Sequence, residues 1–102
     1  FDGGLLAPAT LAEMLRGVAV GGGHPPFRLA GYGLGLMIDL DAKMALVAGH
    51  AGGGPGYSTA AFQFHTAGGR RATIVALANR DAGDVGLRIA FAMARIALGL
   101  PE

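Results

Sequence analysis

Leu11, Met14, Leu15 and Val18 recur at i, i+3, i+4 and i+7, the spacing that gathers apolar side chains on one helical face, so the chain predicts a helix over residues 8–18. Pro8 suits the first turn of that helix, and Thr10 with Glu13 would form a capping box if it started later. Three glycines and two prolines within residues 21–26 end it in a loop. From residue 31 the period changes to two. Tyr32, Leu34, Leu36 and Ile38 alternate with Gly33, Gly35 and Met37, which predicts a strand over 31–39 with an unusually bare second face. Residues 39–43 read as a turn. Strands follow at 44–50, 57–66 and 71–79, with 67–70 as a hairpin link between the last two. Connections this short imply antiparallel neighbours.

Asp84 reads as the N-cap of a helix over 84–98, with Gly99 just past its end and Pro101 beyond. Only Arg88 and Arg95 interrupt its apolar surface, and they share one narrow face, so nearly all the rest must be covered. The strand containing residues 72–78 lacks polar alternation, which predicts burial on both faces. The terminal helix covers one face. The other needs the first helix or protein outside this chain. The predicted order is helix, four strands, helix: an α+β arrangement with an antiparallel sheet of about four strands and both helices packed on it.

A chain of 102 residues makes one domain or part of one, and such a chain buries roughly two thirds of its unfolded surface. With 52% apolar and 15% charged residues it is not a disordered segment, and its 19 glycines follow no collagen-like repeat. A formal charge of +1 provides no basic field for nucleic acid, and Arg70-Arg71 is the only tight basic pair. Without cysteine there is neither a disulfide nor a thiolate metal site, but the compartment stays open. The first residues do not read as a signal peptide. The apolar stretch 85–98, at about 1.5 Å per residue, is too short for a hydrocarbon core of ~30 Å, so no membrane span is expected.

Candidate chemistry concentrates in residues 49–64, Gly-His-Ala-Gly-Gly-Gly-Pro-Gly-Tyr-Ser-Thr-Ala-Ala-Phe-Gln-Phe. His50 leaves an apolar strand and enters a glycine run whose amides are bare of side chains, and imidazole changes charge near neutral pH. One reading makes this a wide turn with an ordinary strand-end histidine. A phosphate cradle is disfavoured, since no Lys-Ser or Lys-Thr follows and the run leads into a strand instead of a helix. A lipase-type oxyanion loop needs a Gly-x-Ser-x-Gly elbow further along, which is absent. Ser58, the only serine, sits in strand alternation and reads as structural. His24 and His65 lack partners at metal-ligand spacing, so neither a metal nor a cofactor is expected.

Tyr32-Gly33-Leu34-Gly35, then His50-Ala51-Gly52-Gly53, then Pro55-Gly56-Tyr57-Ser58, then Ile74-Val75-Ala76-Leu77-Ala78-Asn79-Arg80-Asp81 before a final helix resembles the C-terminal region of the serine β-lactamase-like family. That family includes class C β-lactamases, penicillin-binding D-alanyl-D-alanine peptidases and related esterases. Its strand beside the active site carries Lys-Thr-Gly or His-x-Gly. The resemblance implies that His50 takes the lysine position, tuning proton transfer or binding a substrate carboxylate, with Ala51 and Gly52 completing the motif. It further implies that Gly53 offers its backbone N–H to an oxyanion, a donor worth roughly 3 kcal/mol in the transition state, with Gly54 also lining the substrate.

The family's nucleophilic serine has a lysine three residues later, assisted by a Tyr-x-Asn or Ser-x-Asn element, and none of these is present. Ala61 stands where Ser58 would need its lysine, and Lys43 is the sole lysine. The resemblance therefore implies the C-terminal portion of a serine hydrolase acting on ester, amide or β-lactam bonds, with the catalytic Ser and Lys upstream and these residues inactive alone. The alternatives are a non-catalytic ligand-binding module of the same fold and a small structural α+β domain whose glycine run is only a turn. Unpaired sheet edges also favour self-association.

Overall fold

The computed structural model describes residues 4–41 and 43–100. Its secondary structure is α+β: helix α1 (Pro8–Met14), strands β1 (Val18–Ala19), β2 (Ala30–Tyr32), β3 (Met37–Asp39), β4 (Met44–Gly54), β5 (Tyr57–Thr66) and β6 (Arg71–Ala78), a 3₁₀ turn (Ala82–Asp84) and helix α2 (Val85–Leu98). The strands form one antiparallel sheet in sequence order. Among the described residues six strands replace the roughly four expected, for two local reasons.

The first reason lies at Gly33 and Gly35, which belong to a turn and not to a bare strand face. The Gly33 N–H donates to the Leu36 carbonyl at 2.8 Å and Gly35 has φ +72°, so residues 31–39 split into β2 and β3. A Cβ on Gly33 would lie 2.1 Å from the Met14 carbonyl oxygen, so the close approach of α1 requires glycine. The second reason is that α1 stops at Met14 instead of residue 18. Gly17 fits under Leu40 and Ile38, and Val18 and Ala19 then pair with Tyr32 and Gly31 as β1. Because α1 begins at Pro8 with Ala7 at its N-cap, the Thr10–Glu13 capping box does not form.

The expected wide glycine turn is also absent. β4 continues through Gly52, Gly53 and Gly54, which pair with Thr59, Ser58 and Tyr57, and only Pro55 and Gly56 make the turn. Gly56 has φ +81°, the conformation that follows proline in a type II turn. The link between β5 and β6 is the hairpin expected, closed by Thr66 N–H to Arg70 O at 2.8 Å with Gly69 at φ +90°. The expected turn at 39–43 includes residue 42, outside the described residues. Beside it, Arg28 Nε pairs with Asp41 at 2.7 Å. A backbone hydrogen bond from Lys43, then the Arg28 guanidinium, hold the Asp41 carboxyl below the usual carboxylate range.

The core lies on one face of the sheet. Val47, Ala60, Phe62, Phe64, Ile74 and Ala76 meet Leu87, Ala90, Phe91, Ala94 and Leu98 of α2. The ring of Phe91 packs edge-on against Phe27 and Phe64 at 5.1 Å and against Phe62 at 5.6 Å. Asp84 does not cap α2 through its side chain; it takes φ +53°, and the Gly86 N–H instead donates to Ser58 Oγ at 3.0 Å. At the other end Gly99 has the expected left-handed φ of +65°, and the Arg70 guanidinium donates to Leu98 O at 2.6 Å and Ala97 O at 3.1 Å. A cation there also complements the helix dipole.

The opposite face is not covered by α1, which has no buried residue. Val75 and Leu77 are exposed, Leu77 to 79%, so β6 is buried on one face only. On α2, Ile89, Met93 and Ile96 likewise remain exposed, against the expectation of near-complete cover. Among the described residues, no helix is long and apolar enough to cross a membrane.

Candidate functional site

β3 is short and pairs with β4 only at Met37↔Gly49 and Ile38↔Ala48, whereas β5 follows β4 to its end at Gly54↔Tyr57. Residues 50–54 of β4 therefore have a strand on one side and an open backbone edge on the other. An edge of this kind presents N–H and C=O groups to whatever approaches. The glycines along it fall into two kinds. A Cβ on Gly49 would lie 2.1 Å from Ala61 O, so backbone packing excludes a side chain there, whereas one on Gly54 would lie 2.7 Å from the ring of Tyr57, an exposed side chain that can move aside. A Cβ on Gly52 would meet only the Thr59 hydroxyl at 3.2 Å, and one on Gly53 the Tyr57 carbonyl oxygen at 3.4 Å and Ser58 Cα at 4.0 Å. At Gly52 and Gly53 the missing side chain leaves backbone uncovered and relieves no severe clash.

Ala51, Gly52, Gly53 and Gly54 line one hollow of ≈ 380 Å³ together with Met37, Tyr57, Ser58, Asp81 and Asp84. An adjoining hollow of ≈ 390 Å³ shares Met37, Ala51 and Asp84 and adds Tyr32, His24, Phe27 and Leu87. The Asp81 carboxylate also accepts the Gly56 N–H at 3.0 Å, tying the Pro55-Gly56 turn to the segment before α2.

His50 lines neither hollow. Opposite Ala61 in register, it belongs to the sheet face away from α2, while Tyr32, opposite Met37, belongs to the α2 face. Their side chains meet where β3 has ended: Tyr32 Oη lies 2.7 Å from His50 Nε2, with the rings edge-on at 5.9 Å. The Nδ1 of His50 lies 2.6 Å from the Ala51 carbonyl oxygen, which can only accept, so Nδ1 carries the hydrogen. In the neutral ring Nε2 then accepts from the Tyr32 hydroxyl.

The structure thus brings Ala51, Gly52, Gly53 and Gly54 together and places His50 at their rim through Tyr32. Tyr32 as a partner of His50, and the carboxylates of Asp81 and Asp84 in the hollow, are absent from the sequence-derived site. Tyr32 carried a signal in its Tyr-Gly-Leu-Gly context and Asp81 in the Asn-Arg-Asp run before the last helix, whereas Asp84 read only as a helix cap. Ser58 has the structural role expected: it is buried and accepts the N–H of Gly86. His24 contacts the Gly21 carbonyl at 2.8 Å, and His65 contacts Gln63 at 3.1 Å. Among the described residues no group of three or more His, Cys, Asp or Glu side chains is arranged to hold a metal ion.

No family model, curated protein or solved structure matches the chain.

Proposed function

We propose that these residues form one wall of the cleft of a serine hydrolase of the β-lactamase, penicillin-binding and esterase kind, which acts on an ester, amide or β-lactam through an acyl-enzyme. The carrying observation is the open edge of β4, where His50 is held by Tyr32 and is followed by glycines whose backbone lies bare beside a hollow. In this reading Gly53 N–H stabilises the oxyanion, Ala51, Gly52 and Gly54 line the acyl group, and the His50–Tyr32 pair manages the proton. The attacking serine and its lysine come from polypeptide outside these 102 residues. The fold is then the C-terminal part of a β-lactamase-like fold, and the exposed face of β6 is a surface that the rest of that fold covers.

Acylation tests this. The complete product of the reading frame that encodes these residues is incubated with a fluorescent penicillin and with a fluorophosphonate, and labelled serine is mapped by mass spectrometry. The expected result is an adduct on the serine of a Ser-x-x-Lys helix. The isolated chain should hydrolyse nitrocefin and p-nitrophenyl acetate no faster than its His50→Ala variant. Absence of any adduct from a product that lacks Ser-x-x-Lys sinks the proposal.

A further inference from the structure

We infer that a second hollow, between the C-terminal end of α2 and the start of β4, binds a small amphipathic carboxylate. It shares no lining residue with either hollow beside the glycine edge and does not rest on the hydrolase reading.

The hollow measures ≈ 310 Å³. At about 30 Å³ for each water-sized unit it holds roughly ten non-hydrogen atoms, the size of a carboxylate on an apolar body of about eight carbons. Its apolar lining is an opening in the core. Val47, Phe64, Phe91 and Ala94 are buried residues of the cluster that joins sheet to helix, and Met44 and Leu100 pack partly buried against them. Arg28, Asp39, Lys43 and Arg95 complete the lining, and none of the four is buried. An apolar pocket with a few convergent polar groups is the usual form of a small-molecule site.

The charges decide what kind of molecule fits. The Asp39 carboxylate is committed to backbone donors, accepting the N–H groups of Arg28 and Leu29 at 3.0 Å and of Asp41 at 3.2 Å. Arg28 Nε is committed to Asp41 at 2.7 Å. Lys43 acts on Asp41 without a direct ion pair, and the Arg95 guanidinium has neither an ion pair nor a side-chain hydrogen bond among the described residues. Three cations against two carboxylates leave one positive charge, the complement of a monoanion. The end of α2 does not oppose an anion. Arg70 takes the carbonyls of Ala97 and Leu98, and the N–H groups of Gly99 and Leu100 take those of Ile96 and Arg95. Burial of the apolar body holds any amphiphile of this length, and attraction at the partly desolvated rim selects the carboxylate.

Equilibrium dialysis tests this on the complete product of the reading frame that encodes these residues, with octanoate and with octyltrimethylammonium as probes. Octanoate should bind saturably, one per chain, and about ten-fold more tightly than the cation. Joint replacement of the two cations without a direct carboxylate partner, Lys43→Gln with Arg95→Gln, should weaken octanoate about ten-fold, the factor for loss of one charge-assisted hydrogen bond, and leave the cation bound no more weakly. A diazirine analogue of octanoate should crosslink within residues 44–47 or 91–100, read by mass spectrometry. No saturable octanoate binding, equal affinity for octyltrimethylammonium, unchanged octanoate affinity in the double variant, or crosslinks confined to other segments each overturns the inference. The comparison of probes and the crosslinking use the unaltered protein, so they decide the matter even if the double variant fails to fold.

Discussion

At Ser58 and Gly86 a single hydroxyl and a missing methyl group fix where α2 begins. The Ser58 Oγ, 3.0 Å from the Gly86 N–H, satisfies one of the donors that a helix leaves open at its first turn. Gly86 lets that turn approach β5, because a Cβ there would lie 2.9 Å from Thr59 N and 3.1 Å from the Ser58 carbonyl carbon. Ser58→Ala should cost about 1 kcal/mol through the lost cap. Gly86→Ala should cost roughly 1–3 kcal/mol by overpacking, outweighing the ~1 kcal/mol that alanine normally gains over glycine inside a helix. Urea unfolding of both variants checks the order, and stabilisation by Gly86→Ala would show that the helix can lift away. The structural role of Ser58 was legible in the sequence because it lacks a basic partner in reach. Its real partner sits far along the chain, and only the packing of α2 on β5 supplies it.

Among the elements, β6 shows how an apolar pattern can overstate burial. Its run of apolar residues is compatible with cover on both sides, yet Ile74 and Ala76 face α2 while Val75 and Leu77 face outward. Ile74→Ala should therefore lose about 2–5 kcal/mol, as cavity formation in a core does. Leu77→Lys should stay within about 0.5 kcal/mol of the unaltered chain, as at an exposed site. Thermal unfolding of the two variants separates one-sided from two-sided cover, since a large loss from Leu77→Lys would mean that the outer face is packed. β4 outruns its apolar pattern for the complementary reason. Glycine weakens a strand on its own, so the run after His50 reads as a loop, but pairing with β5 carries the ladder through it to Gly54.

Over the whole molecule, stability depends on one layer of contact between sheet and helix. Phe91 is its centre, touching Phe27 of the loop before β2 as well as Phe62 and Phe64 of β5. Phe91→Ala should remove about 3–5 kcal/mol, a large share of what a domain this size holds. Circular dichroism melting measures it, and a loss below that of Ile74→Ala would place the centre of the core elsewhere. The sequence by itself determined the α+β class, the antiparallel order, the span of β5 and the Gly99 stop of α2. These follow from periodicity, turn residues and short connections, all of which act locally along the chain. Only the tertiary structure decided the six-strand count, the open edge after Gly49, the uncovered face of β6 and the contact of Tyr32 with His50. Each of these depends on which distant segments meet, and the energy of such meetings comes from packing and pairing between residues that no local pattern connects.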